Sequence, residues 1–416
     1  MKFRSIKGTK DILPEESGLW QHVEAVVRSV MHRAGYREIR TPVFEQTALF
    51  ARSIGELTDI VTKEMYTFPD RSGESLTLKP EGTASVLRAY IQHNLGEQAP
   101  LIKLSYCGPM FRQERPQAGR LRQFHQFGAE ALGSQSPQLD VEMMLLPLHV
   151  YGELGVKPLA LSINSVGCEE CRPAYKEKLI VALTKVFDRL SPESQARVQQ
   201  NPMRVLDSKN EGDQEMTQAA PLIKDHLCTE CRTHFEEVQS LLHATGTPFE
   251  INGRLVRGLD YYTKTAFEIT SSALGSQDAL AGGGRYDLLV EELGGKATPG
   301  VGFAAGLERL MIVLEKTGAP AGTMRGPDLF IAAIDDPSRR WAFSKTQELR
   351  KRGFAVETDF LQRSLKAQMR EANRQQARFV MVIGETELQA GAGRLKHMVR
   401  GEERTVPLGE LESALV

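Results

Sequence analysis

The sequence has few cysteines and tryptophans, no long apolar run and no excess of charge of either sign. Its 416 residues include 5 Cys and 2 Trp, and 52 basic residues balance 53 acidic ones. Five cysteines are too few for a disulfide-rich scaffold and are typical of a reducing compartment. The densest apolar stretch, residues 143–151, contains Pro147 and His149 and is far shorter than the roughly 18 residues of a membrane helix. These absences exclude a disulfide-stapled protein and a helical membrane protein.

The N-terminal segment is basic, but Lys10 and Asp11 stand where a signal peptide would continue into an apolar stretch. We therefore expect a soluble, cytoplasmic protein with no membrane partner. At roughly 100–200 residues per domain, the length predicts two to four domains. The net charge of −1 does not exclude a nucleic-acid partner, because phosphate contacts need only a local basic surface.

The pattern of apolar residues predicts a mixed fold in two parts. Apolar residues at helical spacing between Leu19 and His32 predict an amphipathic helix. Charged, helix-forming sequence predicts a helical insertion at about 168–246, and a loop-rich boundary ends the first domain, residues 1–320. Residues 327–416 alternate short strands with helices, which is typical of a small α/β domain. The other strand-like runs of the first domain are 76–79, 101–106, 124–132, 254–270 and 300–305.

Residues 110–130 hold the densest group of polar side chains, in two arms joined by the turn sequence Pro-Gln-Ala-Gly at 116–119. This pattern predicts an antiparallel hairpin. Because strand side chains alternate between faces, each arm has one polar face: Met110, Arg112 and Glu114 on the first, and Arg122, Phe124, Gln126, Gly128 and Glu130 on the second. Guanidinium groups beside an aromatic ring suit a phosphate and a base. An edge hairpin with solvated charges explains the pattern equally well.

The hairpin resembles the second motif of class II aminoacyl-tRNA synthetases, which reads Phe-Arg-x-Glu, a loop and a strand that bears Phe. GVGFAAGLER at 300–309 resembles the third motif of that class. Three more segments resemble signatures of the histidyl-tRNA synthetase family: KPEGT at 79–83, LVRGLDYY at 255–262 and AGGGRYD at 281–287. The resemblance implies an α+β catalytic domain built on an antiparallel sheet, with a helical insertion, followed by a C-terminal α/β anticodon-binding domain.

The resemblance also implies a reaction and the residues that bind the nucleotide. ATP, bound with Mg²⁺, would activate L-histidine to histidyl-adenylate, and histidine would then move to the 3′ end of tRNA(His). Arg112 and Arg257 would be catalytic, Arg112 on the α-phosphate and Arg257 near it, where related synthetases use a metal. The ATP-binding residues implied are Arg112, Glu114, Arg120, Phe124 and Arg309, with Phe124 and Arg309 on opposite faces of adenine.

A second group of residues is implied to bind histidine, which needs an anion for its ammonium and polar partners for both ring nitrogens. Glu81 and Thr83 would bind the ammonium, with Gly82 between them and Gln126 nearby. Glu130 and Tyr262 would bind the imidazole. Tyr261 and a glycine loop at 282–284 would close the pocket. His125 has the opposite strand parity from Gln126, so we expect it to pack beneath the sheet.

Two Cys-x-x-Cys pairs bracket the insertion, Cys168-Glu-Glu-Cys171 and Cys228-Thr-Glu-Cys231. This spacing suits a tetrahedral zinc ion, but the two pairs lie much further apart in the sequence than in ordinary zinc ribbons. A structural Zn²⁺ and four reduced thiols both remain open, and no residue is assigned as a metal ligand.

The resemblance implies tRNA contacts in the last domain and a homodimer. Arg363, Lys366, Arg370 and Arg374 recur at spacings of three and four, so they share one helix face, which could contact the anticodon stem or only solvent. Residues 38–47 would lie at the dimer interface. The alternative is a non-catalytic regulatory paralogue of ATP phosphoribosyltransferase, which lacks this last domain and carries degraded histidine and ATP motifs.

Overall fold

The protein is described by a computed structural model that covers residues 3–55, 58, 60–117, 119–257, 261–275, 279–318 and 326–415. It forms two compact units, Met1–Gly322 and Thr323–Val416. The predicted class, an α+β unit followed by a smaller α/β unit, is confirmed. In the described part of the chain, no helix has the length and apolar character needed to cross a membrane.

The first unit contains eleven α-helices and eleven strands among its described residues, besides short 3-10 and π turns. The helices are α1 Pro14–Arg33, α2 Thr47–Ile54, α3 Thr83–Gln92, α4 Pro137–Glu153, α5 Arg172–Thr184, α6 Pro192–Gln200, α7 Met203–Leu206, α8 Glu211–Met216, α9 Thr229–Ala244, α10 Leu289–Glu292 and α11 Leu307–Thr317. The strands are β1 Arg37–Glu38, β2 Phe44–Gln46, β3 Thr67–Pro69, β4 Ser75–Leu78, β5 Ile102–Phe111, β6 Gln123–Leu132, β7 Ala160–Ser165, β8 Glu250–Ile251, β9 Thr263–Thr270, β10 Ala279–Arg285 and β11 Gly300–Gly306.

An eight-stranded sheet in the order β1-β5-β6-β11-β10-β9-β7-β8 organises this unit. Each pair of neighbouring strands from β5 to β7 in this order is antiparallel. The two outermost strands are parallel to their neighbours, β1 to β5 and β8 to β7. Alternate residues of β6 and β11, such as Phe127 and Phe303, join one core with apolar residues of α1, α4, α9 and α11. The opposite face carries Phe124, Gln126 and Gly302, so one face forms the core and the other is left for a site.

The second unit contains a five-stranded sheet in the order β13 (Val356–Thr358), β12 (Leu329–Ala333), β14 (Phe379–Ile383), β15 (Ala392–His397) and β16 (Glu403–Pro407). Strands β13, β12 and β14 are parallel, and β15 and β16 add antiparallel strands at one edge. The sequence pattern predicted the parallel strands but not the antiparallel pair. The α-helices of this unit are α12 Asp336–Lys351, α13 Leu365–Arg374 and α14 Glu385–Ala390.

Three local predictions were wrong. The predicted glycine loop at 282–284 is part of strand β10, which pairs with both β9 and β11. A Cβ on Gly283 would lie 2.2 Å from the carbonyl oxygen of Gly302, so glycine is required here by close strand packing. The strand predicted from residue 254 begins only at Thr263. Arg112, Glu114 and Arg122 lie just beyond the ends of β5 and β6, so strand alternation does not set their directions.

Some predicted features fall outside the described residues. These are Ala118 in the hairpin turn, residues 258–260 of the LVRGLDYY segment, and residues 319–325 of the boundary between the two domains.

Candidate active site

A cavity of about 280 Å³ lies on the polar face of the central sheet. Its wall comes from the ends of β5 and β6, from β10 and β11, and from the first turn of α11. The wall contains most of the residues predicted to bind ATP or histidine: Glu81, Thr83, Arg112, Glu114, Arg120, Phe124, Gln126, Arg257, Tyr261, Tyr262 and Arg309. Gly82 and Glu130 are the two predicted residues that do not line it.

One end of the cavity is built around an aromatic ring and two guanidinium groups. Phe124 pairs with Met110 across the hairpin, and the guanidinium carbon of Arg112 lies 5.3 Å from the centre of the Phe124 ring. Arg112 also donates from Nε to the carbonyl oxygen of Pro80 at 2.9 Å. Arg309 donates from Nη1 to the carbonyl oxygen of Ala279 at 2.7 Å. Since a guanidinium has five N–H donors, each arginine retains further donors for a ligand.

The loop of the hairpin adds a further charged pair to this end. Glu114 lies 3.5 Å from Arg120 and 4.0 Å from Arg112, while Gln117 and Arg120 exchange backbone hydrogen bonds across the turn. Burial and the nearby charge of Arg120 lower the pKa of Arg309. Three arginines, Arg112, Arg120 and Arg309, therefore face this end of the cavity, and positive side chains of this kind suit a phosphate group.

Arg257 reaches the middle of the cavity from the segment that precedes β9. Its Nη1 donates to Oε2 of Glu268 at 2.7 Å, and its guanidinium crosses Gly282, where a Cβ would lie 2.1 Å from Nη2. Burial would lower the pKa of Arg257, but the Glu268 carboxylate holds it above its ordinary value. Nε of Arg257 is buried and has no hydrogen-bond partner among the described residues. The positive charge of Arg257 is therefore fixed in place, and its Nε–H can still donate to a ligand.

The other end of the cavity is lined by one carboxyl, Glu81, and by tyrosines, and a second carboxyl, Glu130, lies behind the wall. Glu81 accepts the backbone N–H groups of Thr83 at 2.7 Å and Ala84 at 2.8 Å, at the start of α3. The Thr83 hydroxyl donates to Oε1 of Glu130 at 2.7 Å, and the Tyr286 hydroxyl donates to Oε2. Glu130 is fully buried and does not line the cavity, whereas Thr83 and Tyr286 do. Thr83 and Tyr286 thus stand between Glu130 and the cavity.

Burial dominates the acid–base behaviour of these carboxyls. It raises the pKa of Glu130 to about 8, against the opposing effect of hydrogen bonds from Tyr286 and Thr83. Burial also raises the pKa of Glu81, although the N–H groups of Ala84 and Thr83 oppose it. Because folding raises the pKa of Glu130, this residue makes the free energy of unfolding fall as the pH rises from about 4.5 to about 8.

Three tyrosine rings in mutual contact and an unpaired amide oxygen complete the pocket. The ring centres of Tyr261 and Tyr262 lie 4.6 Å apart, and those of Tyr261 and Tyr286 lie 5.7 Å apart. Oε1 of Gln126 is buried without a hydrogen-bond partner in the described part of the chain. Because native proteins rarely leave buried polar atoms unpaired, this acceptor indicates a ligand with an N–H donor.

Two residues of the site, Tyr286 and Glu268, were not predicted from the sequence. Tyr286 belongs to the AGGGRYD segment, but only its glycines received a role there. Glu268 lies between Phe267 and Ile269 in β9. Its side chain is therefore on the opposite face of the sheet from these two residues, which are fully buried. A carboxylate between two large apolar residues, Phe267 and Ile269, was the signal available for Glu268.

Two polar residues near the site have structural partners instead. His125 packs its ring edge-on to Trp20, and its Nδ1 lies 2.9 Å from Glu308, as expected for a residue beneath the sheet. Arg285, next to the glycines of β10, is fully buried and bonds Asp140, Asp287 and two backbone carbonyls. It anchors β10 to the start of α4.

Outside the cavity, the four predicted thiols converge in the first unit, and the predicted basic helix forms in the second. The Sγ atoms of Cys168, Cys171, Cys228 and Cys231 all lie within 4.8 Å of one another. The basic face falls on α13 and the residues before it, but Arg363 and Arg374 are both paired with Glu371. Lys366 and Arg370 are both exposed.

Comparison with known proteins agrees with this geometry. The family model described as histidyl-tRNA synthetase matches residues 8–310, and one described as anticodon binding domain matches residues 330–416. A histidine–tRNA ligase of Desulforamulus reducens is 50% identical over 405 residues, covering 97% of both chains. One of Caldanaerobacter subterraneus is 49% identical and covers 100% of both. The crystal structure of an apo S. aureus histidyl-tRNA synthetase superimposes with a TM-score of 0.85 at 39% identity, over 99% of both chains. The chain belongs to the histidyl-tRNA synthetase family.

Proposed function

We propose that this chain activates L-histidine with ATP to histidyl-adenylate and then transfers histidine to the 3′ end of tRNA(His). The observation that carries the proposal is a single cavity with four arginines, an aromatic ring and an adjoining pocket of buried carboxylates and tyrosines. The four arginines are Arg112, Arg120, Arg257 and Arg309. ATP enters as its Mg²⁺ complex.

The reaction needs positioning and charge stabilisation more than proton transfer. The attacking carboxylate of histidine is already ionised at neutral pH, so no general base is required. Arg112 and Arg257 would neutralise charge that develops on the α-phosphate, and fixed donors do this without reorganising during the reaction. Phe124 and Arg309 would hold adenine, and Glu114 and Arg120 would lie along the nucleotide.

Histidine would bind at the carboxylate end of the cavity. Glu81, Thr83 and the unpaired Oε1 of Gln126 would bind its ammonium. Tyr262 and Glu130 would bind the imidazole, with Tyr261 closing the pocket and Gly82 leading into α3. Because Glu130 lies behind Thr83 and Tyr286, it would act on the imidazole together with these hydroxyls.

ATP–pyrophosphate exchange measured with each of the twenty amino acids tests the proposal. We expect exchange with histidine and none above background with the others. The alternative, a regulatory paralogue of ATP phosphoribosyltransferase, predicts no exchange with any amino acid. Full coverage of the two ligases, including the last domain, favours the catalytic function.

Glu130→Gln should weaken histidine binding more than ATP binding. The substitution removes one acceptor oxygen from the buried group to which the Thr83 and Tyr286 hydroxyls donate. A buried hydroxyl left without its acceptor costs roughly 1–3 kcal/mol, so KM for histidine should rise roughly 5- to 100-fold. KM for ATP should change far less in the same exchange assay. Glu142→Gln, which alters a carboxylate bonded to Tyr36 at 2.7 Å outside the cavity, is the control. A larger change in KM for ATP would mean that the histidine pocket is misplaced.

The second unit is proposed to bind the anticodon region of tRNA(His) through Lys366 and Arg370. Reversing both charges, Lys366→Glu with Arg370→Glu, should lower kcat/KM for tRNA roughly tenfold. The logarithm of the tRNA binding constant falls linearly with the logarithm of the salt concentration. The steepness of this line should decrease by about one for each phosphate that the variant no longer neutralises. Pyrophosphate exchange should stay unchanged, because it needs no tRNA. Lys351→Glu, an exposed change on α12, is the control. If pyrophosphate exchange fell as much as kcat/KM for tRNA, the assignment of Lys366 and Arg370 to tRNA binding would be refuted.

We also propose that the chain acts as a homodimer in the cytoplasm. The segment at 38–47 exposes apolar side chains, including Val43 at 40% and Phe44 at 48%, and exposed apolar patches are typical of interfaces. Sedimentation equilibrium should give twice the mass of one chain, and a mass equal to one chain would contradict the dimer.

A further inference from the structure

Four cysteine thiols from two distant segments meet beside the helical insertion. Sγ of Cys168 lies 3.7 Å from that of Cys171 and 3.8 Å from that of Cys228, and Cys171 lies 3.8 Å from Cys231. Four thiolates at the Zn–S distance of about 2.3 Å form a tetrahedron with edges of about 3.8 Å. A disulfide would need about 2.05 Å, and all four cysteines are free. These three Sγ–Sγ distances match the edge of the tetrahedron, and all four Sγ atoms lie within 4.8 Å of one another, close enough to bind one metal ion.

The backbone around the thiols is arranged as a cation site needs. Cys171 and Cys228 are the N-cap residues of α5 and α9, and the positive end of a helix stabilises a thiolate. The backbone N–H of Cys168 donates to Sγ of Cys171 at 3.2 Å, and that of Cys231 donates to Sγ of Cys228 at 3.5 Å. Gly167 has a φ of +70°, and a Cβ there would lie 2.8 Å from Sγ of Cys171, so glycine leaves room for the thiol.

We propose that Cys168, Cys171, Cys228 and Cys231 bind one Zn²⁺ ion. Each thiol gives up its proton to solvent on binding, and no oxidation or reduction occurs. Four protein ligands leave no open position, so the ion is structural and takes no part in adenylation. It joins the start of α5 to the start of α9 and so closes the helical insertion at its base, at the edge of the apolar core to which Cys171 and Cys231 belong.

The site is also connected to the histidine end of the cavity, an inference that rests on the proposed function. The backbone N–H of Val166 donates to the carbonyl oxygen of Lys264 at 2.7 Å, and that of Lys264 donates to the carbonyl oxygen of Gly167 at 2.8 Å. Arg172, the residue after Cys171, donates to the carbonyl oxygens of Val166 and Tyr262. The Lys264 ammonium bonds Glu230 of the second Cys pair at 2.6 Å. The ion therefore fixes the backbone that carries Tyr262.

Metal analysis of the full-length protein tests the site without any activity assay. Protein from cells grown with zinc should contain one zinc per chain by mass spectrometry. Cys168→Ser and Cys228→Ser should lose it, and Cys107→Ser, which changes the one cysteine outside the cluster, should keep it. Wild-type protein without zinc, or full zinc in both cluster variants, overturns the proposal. So does a count of fewer than five thiols in denatured, unreduced protein, which would indicate disulfides.

Wild-type protein also answers the question if a cluster variant fails to fold. Metal-free protein titrated with Co²⁺ should develop the thiolate-to-metal absorption of a tetrahedral sulfur site with one equivalent, and Zn²⁺ should abolish it. Absence of that absorption overturns the proposal. Removing the metal should raise KM for histidine roughly tenfold, as for supporting residues of a site, with little change in KM for ATP. An unchanged KM for histidine overturns the connection to Tyr262.

Discussion

Arg257→Ala should lower the rate of histidyl-adenylate formation roughly 10²–10³-fold, the loss found when a fixed donor to a developing anion is removed. Arg257 is held by Glu268 at 2.7 Å, and its Nε has no partner in the described part of the chain. Its charge is in place before the reaction, so it can stabilise the α-phosphate without a reorganisation step. Alanine takes this guanidinium away from Glu268, which leaves a negative charge near the place where the transition state develops one.

The rate of adenylate formation in a single turnover measures this loss, because product release does not contribute to that rate. Arg257→Lys keeps the positive charge but loses the planar guanidinium with its forked N–H donors, so it should recover only part of the rate of adenylate formation. Arg254→Ala is the control, because Arg254 lies in the same segment but bonds Thr217 in the insertion. If Arg254→Ala slows the reaction as much as Arg257→Ala, the effect comes from disturbing the segment. An unchanged rate in Arg257→Ala refutes a catalytic role.

Short, local patterns in the sequence were sufficient to predict the hairpin and the face of β6, with Phe124 and Gln126, that lines the cavity. Arg112 and Phe124 come from the hairpin and Arg309 from the start of α11, and all three line one cavity. Turn chemistry and strand parity predict which side chains of β6 share a face, because both are properties of neighbouring residues. The resemblance to a family then supplied the partners that lie far apart in the chain.

What the sequence could not predict depends on packing between distant segments. The glycines of β10 are typical of a loop, and only the close approach of β9, β11 and Arg257 explains why a strand needs them. Tyr286 meets Glu130 across 156 residues of chain, and no local pattern pairs them. Likewise, the separation of the two Cys pairs argued against a zinc ribbon, whereas the fold brings the four thiols together.

Arg285→Ala should lower the free energy of unfolding of the first unit by about 3–5 kcal/mol, the usual cost of removing one partner of a buried ion pair. Arg285 and Asp140 are both fully buried, and Arg285 also bonds Asp287 and the carbonyl oxygens of Ser134 and Ser136. Without the guanidinium, the Asp140 carboxylate keeps His234, at 3.1 Å, as its remaining side-chain partner among the described residues. The substitution also leaves a cavity between β10 and α4.

Urea unfolding can report the first unit alone because the two tryptophans of the chain lie in different units. Trp341→Phe leaves Trp20, whose ring centre lies 5.1 Å from that of His125, as the only tryptophan. In this background, Asp140→Ala should cost about as much as Arg285→Ala, and the double variant should cost much less than the sum. Lys296→Ala, which removes an exposed ion pair with Glu97, should change little. Additive losses would mean that Arg285 acts through its backbone carbonyl partners, and that the ion pair contributes little to holding β10 beneath the cavity.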